Sequence, residues 1–133
     1  MRSGQKVLLG VFVFLFIAGG VNHFIAPGFY LKLLDYILPA GNEELAKQLV
    51  MVSGVTEILA GLLFILPQTR RWGAMFILLH LLAFVPVHVA MCFVRVSGED
   101  PNVAYFAWPR LIVQFMLIYW IALFTQKPQN QTK

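Results

Sequence analysis

Four long apolar segments fill most of this sequence and limit the chain to one class of fold. They run over about residues 7–24, 45–66, 72–94 and 105–124. A helix needs about 20 mostly apolar residues to cross a bilayer. Each segment is near that length, so the pattern predicts an all-α fold, a bundle of four transmembrane helices that forms a single membrane domain over residues 1–133.

The composition supports a membrane protein, because 59% of the residues are hydrophobic and only 12% are charged. An ordinary soluble domain has about 25% charged residues. The single cysteine, Cys92, excludes an internal disulfide and a cysteine-rich zinc module. A net charge of +4 would suggest nucleic acid as the partner of a soluble protein, but membrane topology explains it better here. We therefore expect membrane lipids as partners and no nucleic acid.

A short amphipathic segment, about residues 28–38, separates the first two apolar segments. Its apolar side chains recur at spacings of three and four, with Lys32 and Asp35 on the other face. Pro27 and Pro39 bound it. Because the segment is too short to cross a bilayer, we expect an interfacial helix that lies at the membrane surface or over the mouth of the bundle.

The charged residues are distributed unequally between the two sides of the predicted membrane. With four spans, both termini lie on one side, and that side carries no acid. Its cations are Arg2, Lys6, Arg70, Arg71, Lys127 and Lys133. The charged residues of the other side are Lys32, Lys47, Arg95, Arg110, Asp35, Glu43, Glu44, Glu99 and Asp100. The positive-inside rule then predicts that both termini are cytoplasmic, in a plasma or inner membrane.

Polar side chains inside the predicted spans are the candidate ligand-binding residues. Such groups are costly in hydrocarbon unless they are paired, so they usually face the interior of a bundle. At ~1.5 Å per residue, one layer near the midplane holds Glu57, His80 and Gln114. A second layer, toward the outer face, holds Asn22, His23, His88 and Arg110. Ser53 lies one helical turn before Glu57 and joins the candidates.

Helical spacing places these side chains on shared faces. The stripes at spacings of four and eight residues are Ser53, Glu57 and Gly61; His80, Phe84 and His88; and Arg110 and Gln114. The small residues that would let helices approach closely are Gly19, Gly20, Gly54, Ala60 and Gly61. Together these features predict one polar pocket, lined by four helices and open to the outer side.

The polar residues also have structural interpretations. Glu57 is a lone acid within a span, which favours a function, but it would also serve as a structural carboxyl bonded to His80 or Gln114. His23 and His88 fit helix–helix hydrogen bonding as well as they fit a pocket. No metal-binding motif accompanies the three histidines, so we predict no metal and no cofactor.

Three motifs resemble those of the DoxX-like family of small membrane proteins. They are residues 19–39, GGVNHFIAPGFYLKLLDYILP; residues 53–74, SGVTEILAGLLFILPQTRRWGA; and residues 108–120, WPRLIVQFMLIYW. The resemblance covers about residues 15–120, although Val113 stands where many members have proline. By motif position, the resemblance implies functional roles for His23, Ser53, Glu57, Arg110 and Gln114.

The resemblance implies a four-helix membrane bundle, and the proteins of the family have several roles. The namesake of the family is similar to a small subunit of an archaeal thiosulfate:quinone oxidoreductase, and other members are linked to membrane redox complexes. Animal relatives act as receptor-assembly chaperones. The bundle also looks like those of sterol isomerases and the sigma-2 receptor, which bind lipophilic ligands in acid-lined pockets, although this is an analogy of fold alone.

Several functions are compatible with the sequence. The favoured one is a redox-associated accessory subunit or a binding protein for a quinone or lipid, in which Glu57 and His23 bond the ligand and Arg110 sets the pocket's charge. The alternative is a chaperone or assembly factor for a membrane protein partner. An enzyme acting on a lipophilic substrate ranks lower, because no nucleophile–base pair or cofactor motif is present. A proton-coupled transporter ranks lower because paired discontinuous helices are absent.

Overall fold

The computed structural model of the protein describes residues 2–94 and 101–126. Over these residues the regular secondary structure is entirely helical, which confirms the all-α class. The helices are α1 (Ser3–Ile25), α2 (Pro27–Leu34), α3 (Glu43–Ile65), α4 (Arg70–Phe93), α5 (Pro101–Tyr105) and α6 (Ala107–Thr125). The charged residues of the topology prediction that lie outside the described residues are Arg95, Glu99, Asp100, Lys127 and Lys133.

Four of these helices, α1, α3, α4 and α6, are long and apolar enough to cross a membrane. They coincide with the four predicted spans to within four residues at every end. In the most apolar 18-residue stretch of each helix, at most 28% of the residues are buried inside the protein. A large apolar exterior of this kind is unfavourable in water, and it supports the assignment to a membrane.

The long helices pack in the order α1–α3–α4–α6, and each is antiparallel to its neighbour. On α1 and α3, Ile17 approaches Gly61 while Gly20 approaches Gly54, so residue numbers rise along one helix as they fall along the other. The contacts between α3 and α4 and between α4 and α6 follow the same pattern. The first residues of α1 and the last residues of α6 therefore lie at the same end of the molecule.

The close packing of α1 on α3 depends on three of the predicted small residues, Gly20, Gly54 and Gly61, where an added Cβ would lie within 2.8 Å of the other helix. A Cβ atom at Gly20 would lie 2.7 Å from the carbonyl oxygen of Gly54, and a Cβ at Gly54 would lie 2.7 Å from Cβ of His23. Gly73 has the same role on α4, where a Cβ would collide with the backbone of Phe64 on α3. Gly73 was not among the predicted small residues.

One hydrophobic cluster joins all four long helices near the chain termini. Phe64 of α3 packs edge-to-face against Phe12 and Phe124, with ring centroids 6.2 and 5.1 Å away. Ile77 of α4 and Ile121 of α6 are fully buried in the same cluster. Each edge-to-face pair adds about 0.5–1.5 kcal/mol beyond its buried area, so this cluster holds the helix ends together.

Arg70 and Arg71, at the start of α4, contact the last residues of two other helices. Arg70 donates hydrogen bonds to the carbonyl oxygens of Phe64 and Ile65 at the end of α3, at 3.2 and 2.9 Å. Arg71 Nε donates to the carbonyl oxygen of Thr125 at the end of α6, at 3.0 Å. Helix C-termini carry partial negative charge, which favours cations. The two arginines therefore stabilise these helix ends, in addition to any effect on topology.

Two helix boundaries differ from the prediction. The helix expected over about 28–38 ends at Leu34, and residues 35–38 form turns that bury Tyr36. The last span was expected to start near Tyr105, but α5 ends at that residue and α6 begins at Ala107. Pro109 explains the separation, because it has no N–H to donate to the carbonyl oxygen of Tyr105.

Candidate functional site

A buried histidine near the end of α1 is the centre of a polar cluster between α1 and α3. The side chain of His23 is only 2% exposed. Its Nδ1 atom lies 2.9 Å from the carbonyl oxygen of Val50 and 3.0 Å from Oγ of Ser53. Its Nε2 atom lies 3.4 Å from Oε1 of Glu57, within ion-pair distance. Because Gly54 has no side chain, α1 comes close enough to α3 for all three contacts.

The partners of Nδ1 determine which protonation states the His23 ring adopts. A carbonyl oxygen only accepts hydrogen bonds, so the contact with Val50 requires a proton on Nδ1. The Ser53 hydroxyl donates to the same carbonyl at 3.2 Å, and its oxygen accepts from Nδ1–H. On the other side of the ring, a neutral Nε2 faces a protonated Glu57, or a protonated Nε2 faces a carboxylate. In both states the pair shares one proton.

His23 and Glu57 were predicted to lie in different layers, but the structure brings them into contact. Side chains on a helix lean toward the N-terminus of that helix. Because α1 and α3 are antiparallel, the two side chains lean toward each other. The two side chains together bridge the difference in height between the backbones of His23 and Glu57, which is about one helical turn, ~5.4 Å. Helix rise gives the height of each Cα atom but not the direction of its side chain, so it predicted separate layers for His23 and Glu57.

Tyr30 of α2 completes the cluster, although periodicity predicts only that it belongs to the apolar face of the amphipathic segment. Its ring stacks on the His23 ring, with centroids 3.5 Å apart and planes 23° apart. Its hydroxyl accepts a hydrogen bond from Asn22 at 3.1 Å and donates one to the carbonyl oxygen of Gly19 at 3.3 Å. These contacts hold α2 against the end of α1. Asn22, a predicted site residue, therefore acts here by positioning Tyr30.

His80 of α4 reaches the same region through Thr56 of α3. Nε2 of His80 lies 3.0 Å from Oγ1 of Thr56, and Nδ1 lies 3.3 Å from the carbonyl oxygen of Phe76. The Thr56 hydroxyl also lies 2.9 and 3.0 Å from carbonyl oxygens of its own helix. With one hydrogen, it donates either to its own helix or to His80. Thr56 was missed, although its spacing of three residues from Ser53 places it on a neighbouring face.

A cavity of about 230 Å³ opens beside this cluster, between α1, α2, α3 and α4. Its polar lining residues are His23, Tyr30, Ser53 and His80. The rest of the wall is apolar and includes Leu33, Leu49 and Phe84. Glu57, which contacts His23, is not among the lining residues. A mostly apolar cavity with a few converging polar groups is typical of a site for a small lipophilic molecule.

Three of the predicted residues lie apart from this cavity. His88 of α4 and Arg110 and Gln114 of α6 line a separate groove of about 460 Å³. Gln114 is buried, and its amide donates to the carbonyl oxygen of Leu81 on α4 rather than to Glu57. The structure therefore divides the single predicted pocket into two.

The rotation of α4 explains this division. His80 and His88 are eight residues apart, and eight residues turn about 80° beyond two full turns of helix. His80 therefore faces α3, whereas His88 faces α6.

Within residues 2–94 and 101–126, no group of three or more His, Cys, Asp or Glu side chains is arranged to hold a metal ion.

Fold and site together define a small helical protein with four helices long and apolar enough to span a membrane, and a buried His–Glu pair between the first two of them. The chain belongs to a family described as a domain of unknown function, DUF8561, whose model matches residues 12–125. The match includes every candidate site residue. Neither the comparison with curated proteins nor the comparison with solved structures gives a match.

Proposed function

We propose that this protein is a multi-pass membrane protein that binds a small lipophilic ligand in the cavity beside His23. The observation that carries the proposal is the cavity itself, where an apolar wall surrounds the polar groups of His23, Tyr30, Ser53 and His80. The ligand class is an apolar ring or chain that carries a carbonyl or hydroxyl group. A quinone has this chemistry.

The hydrogen bonds of His80 suggest how the polar end of the ligand would be held. The Thr56 hydroxyl has acceptors on its own helix, so it does not require His80. Nδ1 of His80 faces the carbonyl oxygen of Phe76, so the proton of the neutral ring lies on Nδ1. Nε2 is then available to accept a hydrogen bond from a ligand hydroxyl group, such as that of a reduced quinone. His23 and Glu57 have a positioning role, because their contacts fix the ring against which Tyr30 stacks. Arg110 lines the other groove and has no role at this ligand in our proposal.

The proposal includes an arrangement in the membrane. The antiparallel order of the long helices supports a four-helix bundle, with α2 at the interface on the side opposite the termini. Arg2, Lys6, Arg70 and Arg71 lie at the end of the molecule with the termini, and they support a cytoplasmic location for that end. The resemblance to DoxX-like proteins favours an accessory subunit of a membrane redox complex as the wider role.

The test uses a pair of matched alanine-to-tryptophan variants. Ala83 lines the cavity, whereas Ala18 is exposed on α1 and does not line it. Purified protein in a mild detergent is titrated with decylubiquinone, and the bound fraction is measured by native mass spectrometry. We expect Ala83→Trp to weaken binding at least about tenfold and Ala18→Trp to leave it unchanged.

The same spectra report any small molecule that copurifies with the protein from its own membrane. A copurifying adduct that Ala83→Trp removes and Ala18→Trp retains would support the cavity as a ligand site and would give the mass of its occupant. Equal occupancy in wild type and Ala83→Trp, for decylubiquinone and for any copurifying molecule, would rule the proposal out.

A further inference from the structure

The groove between α4 and α6 differs in chemistry from the cavity beside His23. Its walls are formed by His88, Phe106, Pro109, Arg110, Val113 and Gln114. None of these side chains is an acid, and the polar ones all carry N–H groups or ring nitrogens. The groove therefore presents hydrogen-bond donors beside an apolar surface.

Arg110 gives the groove a positive charge. It lies in the first turn of α6, which begins at Ala107, so its guanidinium adds to the positive end of the helix dipole. Among the described residues, no carboxylate pairs with this guanidinium. Two sources of positive charge at one place favour an anion.

Two other side chains that carry polar nitrogens line the same groove. Nδ1 of His88 is buried and has no hydrogen-bond partner among the described residues. The amide nitrogen of Gln114 uses one N–H on the carbonyl oxygen of Leu81 and keeps a second. A buried polar atom without a partner costs free energy, so a turn of the His88 ring that brought Nδ1–H to an acceptor in the groove would be favourable.

The apolar walls indicate what kind of anion fits. Val113 and Phe106 are 51% and 48% exposed, and they continue the apolar exterior of α6. A free inorganic anion would gain nothing from these walls, whereas an acyl chain would cover them. The first turn of a membrane-spanning helix also lies at the depth of lipid headgroups.

We propose that this groove binds the phosphate group of an anionic phospholipid. The guanidinium of Arg110 pairs with the phosphate oxygens, a match that allows two parallel hydrogen bonds. One acyl chain of the lipid runs along Val113, which lies about one helical turn deeper in the membrane than Arg110. Basic pockets between membrane helices recognise lipid headgroups in this way. The inference depends on the chain lying in a membrane, and it is independent of what occupies the cavity beside His23.

The test compares two neutralising variants of equal charge change. Arg110→Gln removes the cation in the groove, and Lys32→Gln removes an exposed cation on α2. Protein in a neutral detergent is titrated with phosphatidylglycerol, phosphatidylcholine and inorganic phosphate, and bound lipid is counted by native mass spectrometry. We expect Arg110→Gln to weaken phosphatidylglycerol binding at least about tenfold, and Lys32→Gln to leave it unchanged.

A second variant keeps the test decisive if Arg110→Gln does not fold. Val113→Trp fills the exposed wall of the groove without a change in charge, and we expect it to displace the lipid. Equal losses in Arg110→Gln and Lys32→Gln would overturn the proposal, because they would show attraction to net charge alone. Inorganic phosphate that competes as strongly as phosphatidylglycerol would also overturn it, since the occupant would then be a free anion.

Discussion

Nε2 of His23 faces Oε1 of Glu57 at 3.4 Å, while Nδ1 of the same ring contacts the backbone of Val50 at 2.9 Å. Both contacts come from α3, so one buried ring of α1 is bound at two heights of the neighbouring helix. The contact between α1 and α3 is therefore polar as well as glycine-mediated. Removal of the Glu57 side chain would leave Nε2 of this buried ring unpaired, which costs more than an average hydrogen bond contributes.

Replacement of Glu57 tests this pairing. We expect Glu57→Ala to lower the free energy of unfolding by about 1–3 kcal/mol, because Nε2 of His23 loses its partner. Glu57→Gln should lower the free energy of unfolding much less, since the glutamine amide N–H can donate to Nε2 of a neutral His23 ring. Reversible unfolding of the purified protein in detergent measures both. Equal losses in the two variants would contradict this expectation and would indicate an ionised pair.

A pair of glycine variants on α1 tests the close approach of α1 to α3. A Cβ at Gly20 would lie 2.7 Å from the backbone oxygen of Gly54, whereas a Cβ at Gly10 would meet nothing within 4 Å. We expect Gly20→Ala to destabilise the protein by about 1–3 kcal/mol through overpacking. Gly10→Ala should be neutral or slightly stabilising, because alanine favours helix over glycine. Thermal unfolding compares them, and equal midpoints would refute the packing described for Gly20.

The apolar pattern was sufficient to predict the four long helices, because hydropathy and length alone define a span. The shared face of Ser53 and Glu57 was also predictable, since four residues return a helix to nearly the same face. The contact of Glu57 with His23 was not, because spacing does not show which helix that face meets. The stacking of Tyr30 on His23 was not predictable, because it depends on how the chain turns at Ala26 between α1 and α2. That turn is a tertiary property, and neither periodicity nor composition encodes it.

The division of the predicted pocket has a different cause. Spacing identifies the shared face correctly for residues one helical turn apart. Over eight residues, however, the face of a helix rotates by about 80°, so His80 and His88 point to different helices. The order in which helices pack decides whether such residues meet, and the sequence carries no local signal for that order.

Variants of Tyr30 separate the effect of its hydroxyl from that of its ring. Tyr30→Phe removes the hydrogen bonds with Asn22 and Gly19 but keeps the ring stacked on His23. We expect it to cost about 1 kcal/mol. Tyr30→Leu also removes the stacked ring and should cost about 0.5–1.5 kcal/mol more. Unfolding in detergent gives both values, and a Tyr30→Leu variant as stable as Tyr30→Phe would show that stacking contributes nothing.

The contact between Arg71 and the end of α6 gives the last prediction. Arg71 donates to the carbonyl oxygen of Thr125. Its positive charge lies beside the negative end of the α6 dipole, which is a favourable interaction. We expect Arg71→Gln to lower local stability there by about 0.3–1 kcal/mol, seen as faster amide hydrogen exchange in the last turn of α6. Lys6→Gln is the matched control, because Lys6 is an exposed cation near the same end of the molecule. Exchange that rises equally in both variants would point to lost surface charge, whereas a rise in Arg71→Gln alone would tie the order of that turn to this arginine.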